Sequence, residues 1–103
     1  MERITVLYAN KEGAHFDFDY YMKKHIPWVS GLFGRAIEVR RGISSAAGSQ
    51  APFVCLATIE TTSKDEFKAV FSKDGAAILG DVPNYTNIEP IVQFDEVLEQ
   101  IRT

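Results

Sequence analysis

The sequence predicts an α+β protein of the ferredoxin-like kind, β-α-β-β-α-β, with a four-stranded antiparallel sheet carrying its helices on one face. Three observations predict it. Four short runs alternate apolar residues at the period of a strand, and two segments carry apolar residues at the period of a helix. They follow one another in the order of a split βαβ unit. The 103 residues, 46% hydrophobic and 24% charged, suffice for one soluble core and therefore one domain, residues 1–103.

The first strand is read over Ile4-Thr-Val-Leu-Tyr8. The first helix starts at Asp17 as N-cap, and Phe18, Tyr21, Met22 and His25 then fall at i, i+3, i+4 and i+7 on one face. Lys23 and Lys24 fall off that stripe. Pro27 has no backbone donor and restricts Ile26, so the helix is expected to break or kink just past His25. A second strand is read over Ala36–Arg40, then a Gly/Ser/Ala loop over residues 42–52, then a third strand over Phe53–Glu60. The second helix has a capping box, Ser63 with Glu66, and an apolar face of Phe67, Val70, Phe71, Ile78 and Leu79 that Lys73-Asp-Gly75 is expected to interrupt. The last strand is read over Ile88–Phe94. Pro90 lies inside it, which demands an edge or a bulge there.

Two helices cover one face of such a sheet, yet both faces read as apolar. Ile4, Val6 and Tyr8 oppose Thr5, Leu7 and Ala9; Phe53, Cys55, Ala57 and Ile59 oppose Val54, Leu56 and Thr58. A second copy of the chain is the simplest cover. The expected partner is thus a homodimer through the face of Leu7, Ala9, Val54 and Leu56.

Several classes of function are excluded. A formal charge of −3 and isolated basic pairs, Lys23-Lys24 and Arg40-Arg41, argue against a nucleic-acid or anionic-membrane partner. RNA-recognition modules share the element order, but the third strand lacks their basic and aromatic signature. No apolar run reaches the roughly 20 residues of a membrane span. The N-terminus runs straight into a strand pattern, and the lone Cys55 alternates with core residues; both point to a reducing cytoplasm and a structural thiol. Phosphate loops and nucleophile elbows are missing.

His25 is the leading catalytic candidate, because an imidazole near neutral pH can both take and give a proton, and this one stands on an apolar stripe at a helix end. The alternative is a histidine that merely satisfies core or helix-end groups. Tyr8, Tyr21 and Tyr85 are candidates for binding, since buried phenols need partners that a pocket beside His25 would supply. Asp17 and Asp19 are read as cap and first-turn carboxylate. His15-x-Asp17-x-Asp19 has no second cluster to complete a metal shell, so no metal is expected.

Phe16-Asp17-x-Asp19-Tyr20-Tyr21-x-x-x-His25-x-Pro27, followed by Asp81-Val-Pro83-Asn84-Tyr85-Thr86 with Pro90 and Gln93, resembles the EthD family, named for ethyl tert-butyl ether degradation, of the dimeric α+β barrel superfamily. The resemblance spans nearly the whole chain. It implies a ferredoxin-like protomer, a dimeric barrel, and a pocket between sheet and helices. It further implies small, often aromatic or polyketide-like substrates, handled frequently without metal or organic cofactor, by isomerisation, cyclisation, dehydration or oxygenation; a non-catalytic ligand-binding or accessory role in such a pathway is the alternative. Trp28 stands where the family usually has an aliphatic residue, and is expected to narrow the pocket or stack in it.

Overall fold

The structure, a computed structural model, describes residues 2–60 and 63–102. Strand β1 (Glu2–Ala9) is followed by α1 (Phe18–Tyr20), a π-helical turn (Tyr21–His25) and α2 (Ile26–Phe33) in one continuous helical run. Then come β2 (Ile37–Arg41), β3 (Phe53–Glu60), α3 (Lys64–Asp81), a 3₁₀ turn (Val82–Asn84) and β4 (Ile91–Glu96). The strands form one antiparallel sheet in the order β2-β3-β1-β4. This is the α+β arrangement that the element order predicts.

Three local expectations are corrected. The first helix does not stop after His25. Ile26 N–H bonds the carbonyl of Tyr21, five residues back, and Pro27 then occupies the first turn of α2, where its missing donor costs nothing. The π turn widens the helix ahead of the proline and lets it run on to Gly34, whose φ of 62° ends it. The turn also turns Met22 outward, so that it leaves the apolar stripe. The second helix is unbroken, because Gly75 is buried where a Cβ would sit 2.8 Å from the Phe71 ring; the glycine makes room for a packed aromatic. Finally, Pro90 precedes β4, which starts at Ile91 as an edge strand paired with β1 alone.

Ile4, Tyr8, Cys55, Ala57 and Ile59 of the sheet are buried beneath the helices, against Tyr21, Ile26, Val29, Phe33 and Ile78. Full burial of such side chains contributes about 1.5–3 kcal/mol each. Arg35 and Glu66, 2.9 Å apart, tie the end of α2 to the start of α3. The other face of the sheet is less covered in the protomer: Leu7, Val54 and Leu56 are half-buried where Tyr8, Cys55 and Ala57 on the helix side are buried. Leu56, Leu7 and Ile91 lie side by side across three strands there, with Thr58, Thr5 and Gln93 in the next pairing row but one. A glycine shapes the sheet's far corner: a Cβ on Gly42 would lie 2.1 Å from the Phe53 carbonyl oxygen.

Candidate functional site

The π turn and β1 together set the site. Tyr21 and His25 begin and end the π turn, and both are buried. Their rings stack with centroids 5.4 Å apart. Tyr8 reaches them from β1 at the point where its register with β3 shifts, between Tyr8 and Ala9. Such irregularities re-aim a side chain. Tyr85 arrives from the loop before β4. That loop is anchored to the first helix by Asp17 N–H donating to the Tyr85 carbonyl at 2.7 Å and by the Thr86 hydroxyl donating to the His15 carbonyl at 2.7 Å.

Their polar atoms form a chain. The hydroxyls of Tyr8 and Tyr85 are 2.7 Å apart, and the Tyr85 hydroxyl is 3.5 Å from His25 Nε2. His25 Nδ1 lies 2.8 Å from Asp81 Oδ2. Asp81 Oδ1 in turn accepts from the Tyr20 hydroxyl at 2.7 Å and from Asn84 Nδ2 at 2.9 Å. Burial pushes the Asp81 carboxyl upward, but the bonds from Asn84, Tyr20 and His25 outweigh it and hold the group below the usual aspartate range. Burial pushes the phenols of Tyr21, Tyr85 and Tyr8 upward, so all three remain protonated and able to donate.

A cavity of about 50 Å³ opens beside this chain, walled by Tyr8, Tyr21, His25 and Tyr85 at one end. Apolar side chains from both halves of the core, Val6, Ala57, Phe67 and Phe71 among them, line the rest. Leu79 and Val92, the exposed members of its wall, place the mouth between the end of α3 and β4. The volume is enough for a few waters; a cavity that takes a benzene ring is about 150 Å³. Among the described residues no lysine or arginine lines it.

The structure therefore brings His25, Tyr8, Tyr21 and Tyr85 together. Trp28, expected in the wall, is not there: it lies one turn beyond His25 on the outer side of the helix, partly exposed, with its ring edge-on to the imidazole at 6.0 Å. The residues that sequence reasoning leaves without a role are Asp81 and Tyr20. Asp81 stands inside the second resemblance motif, and that was its available signal. Its position is also unusual, since a carboxylate at the C-terminal end of an α-helix is opposed by the backbone dipole. Among the described residues no group of three His, Cys, Asp or Glu could hold a metal ion.

No protein-family model matches the chain, and no curated protein does. Solved structures do. An EthD-like protein of Ralstonia eutropha is 36% identical, with a TM-score of 0.88 over 97% of this chain and 94% of that one. A protein of the ethyl tert-butyl ether (EthD) family from Bacillus halodurans is 18% identical, with a TM-score of 0.68 over 95% and 99%. HapK from Hahella chejuensis is 14% identical, with a TM-score of 0.59 over 100% and 99%. The last two are alike in fold alone.

Proposed function

The chain belongs to the EthD-like family, and from that premise we propose that it is a homodimeric enzyme moving a proton on a small, uncharged, apolar or aromatic substrate. The observation that carries this reading is the division of labour on one imidazole. Nδ1 of His25 is committed to Asp81, while Nε2 faces the Tyr85 hydroxyl and the cavity. Nε2 is then the base. It takes a proton from a carbon beside a carbonyl, and a Tyr85 or Tyr8 hydroxyl donates to the oxygen on which charge develops. Returning the proton to another atom of the substrate gives isomerisation, and returning it to a leaving hydroxyl gives dehydration. The 3.5 Å between Nε2 and the Tyr85 hydroxyl is a long contact, and catalytic hydrogen bonds often tighten only on binding.

The substrate is uncharged because, among the described residues, no lysine, arginine, aspartate or glutamate lines the cavity to pair with a charge. It is small because of the cavity's size, about 50 Å³ against the roughly 150 Å³ that takes a benzene ring. That narrowness favours the second reading, a ligand-binding or accessory protein that captures a small molecule without turning it over. Deuterium wash-in separates the two. Incubation with a panel of small ketones and enones in heavy water should exchange the acidic C–H in the presence of the wild type and about 10²–10⁴ times more slowly with His25→Gln. Tight binding without exchange, equal in both proteins, would establish the accessory role.

A further inference from the structure

Asp81 does not line the cavity. It lines a separate open notch on the outer surface with Tyr20, Lys24, Trp28 and Asn84, and the His25–Asp81 pair is the partition between the two hollows. Within the pair, the acceptor capacity of the carboxylate is divided. Tyr20 and Asn84 both donate to Oδ1, which leaves Oδ2 for His25. A carboxylate held by one donor can rotate and offer either oxygen. One pinned at Oδ1 by two donors offers the imidazole a single oxygen in a fixed place. Because that oxygen only accepts, Nδ1 must carry a proton, and in the neutral ring Nε2 must then be bare.

We propose that Tyr20 and Asn84 are positioning residues for His25: they clamp Asp81 from the solvent side and so fix the imidazole as its Nδ1–H tautomer, with Nε2 presented to the cavity. This rests on the reading of His25 as the base and deepens it, because it assigns control of the tautomer to a surface notch outside the substrate cavity. Tyr20 also stacks its ring on that of Tyr85, 6.3 Å apart and nearly parallel. The residue that pins the carboxylate thus braces the hydroxyl-bearing ring facing Nε2.

Proton–nitrogen correlation spectra of the full chain read the tautomer directly and need no substrate. Above neutral pH the wild type is expected to show His25 protonated at Nδ1 and bare at Nε2. Combining Tyr20→Phe with Asn84→Ala removes both donors to Oδ1 and frees the Asp81 carboxylate to turn out into the open notch, away from Nδ1; it should give nitrogen shifts averaged between the two tautomers, with the amide spectrum of the fold retained. Asp81→Ala should lose the Nδ1–H form, and added formate should restore it from the notch. A wild-type His25 protonated at Nε2, or a double variant whose shifts match the wild type, overturns the proposal. Formate without effect on folded Asp81→Ala overturns the solvent-side placement. Should Asp81→Ala fail to fold, the double variant decides alone. A protein without turnover whose tautomer is nevertheless lost in the double variant would end the enzyme reading and leave the clamp standing.

Discussion

The hydroxyl of Tyr8, on the central strand β1, lies 2.7 Å from the hydroxyl of Tyr85, on a loop 77 residues away, and the pair forms the inner end of a chain of polar atoms that leads to the surface at Asp81. Tyr85 is the joint of this chain, since it touches both Tyr8 and His25. Removing its hydroxyl leaves Tyr8 and Nε2 without that partner, whereas removing the Tyr8 hydroxyl leaves the Tyr85–His25 contact in place. Tyr85→Phe is therefore expected to lower turnover about 10²–10³-fold, the usual effect of losing one charge-stabilising donor. Tyr8→Phe should cost distinctly less. Initial rates of isotope exchange for the two variants check the order, and the reverse order would place the reacting oxygen at Tyr8.

Acid should loosen the fold through Asp81. Its carboxyl is held below the usual range in the folded state, so the stabilisation it brings is fully present above the ordinary aspartate value of about 3.9 and is lost as the pH falls through the lower folded value. Thermal midpoints of the wild type should therefore fall in that acidic window. Asp81→Asn should start lower at neutral pH and fall less steeply there. Parallel pH curves for the two proteins would show that the carboxylate contributes no such linkage.

Gly42→Ala is expected to be among the more damaging single-methyl changes in the chain. The added Cβ would meet the Phe53 carbonyl at 2.1 Å and Ala51 at 2.7 Å, and backbone cannot move aside cheaply. The strand end must shift, breaking the bond from Gly42 N–H to the Val54 carbonyl, now 2.9 Å. A loss of about 2 kcal/mol or more by chemical denaturation is the expected size.

Leu56→Asp should yield a monomer or an aggregate. Leu56 sits between Arg40 and Leu7 on the less covered face of the sheet, and a buried unpaired charge there costs several kcal/mol, comparable with the stability of a whole domain. Sedimentation of wild type and variant at micromolar concentration measures it. A wild type that is already monomeric would remove the homodimer from the proposal.

Cys55 should be silent until the protein opens. Burial pushes its thiol up to about 12 and its side chain is out of reach of solvent. Labelling by a thiol reagent near pH 8 should thus follow the rate of unfolding, and immediate labelling of native protein would contradict the packing around Tyr8 and Tyr21.

The third strand was legible in the sequence to the residue, and the first in its centre, Ile4–Tyr8 of Glu2–Ala9, because a two-residue period fixes which side chains share a face. The family, the four-stranded sheet and the helical placement of Tyr21 and His25 were legible too. What failed was governed by proline and glycine in context. Pro27 reads as a stop unless a π turn precedes it, and Gly75 reads as a break unless a ring covers it. Asp81 escaped because a polar residue at a helix end has an ordinary solvated explanation, and its partner is 56 residues away. Trp28 was misplaced for the same reason as α2: without the continued helix, its direction could not be known.

A π turn contains one residue more than the α turn it replaces, and each residue of helix is about 100° of rotation. The two ends of this run are held independently: Asp17 and Tyr85 fasten α1, and Ile26, Val29 and Phe33 commit α2 to the core. Deleting any one residue between Met22 and Lys24 would re-phase these ends, so that with the core stripe of α2 seated Tyr20 and Tyr21 would swing away from Asp81 and His25, with every side chain of the site still present. The meeting of Tyr20 and Tyr21 with Asp81 and His25 is thus written in chain length, where a substitution scan is blind and only insertions and deletions report.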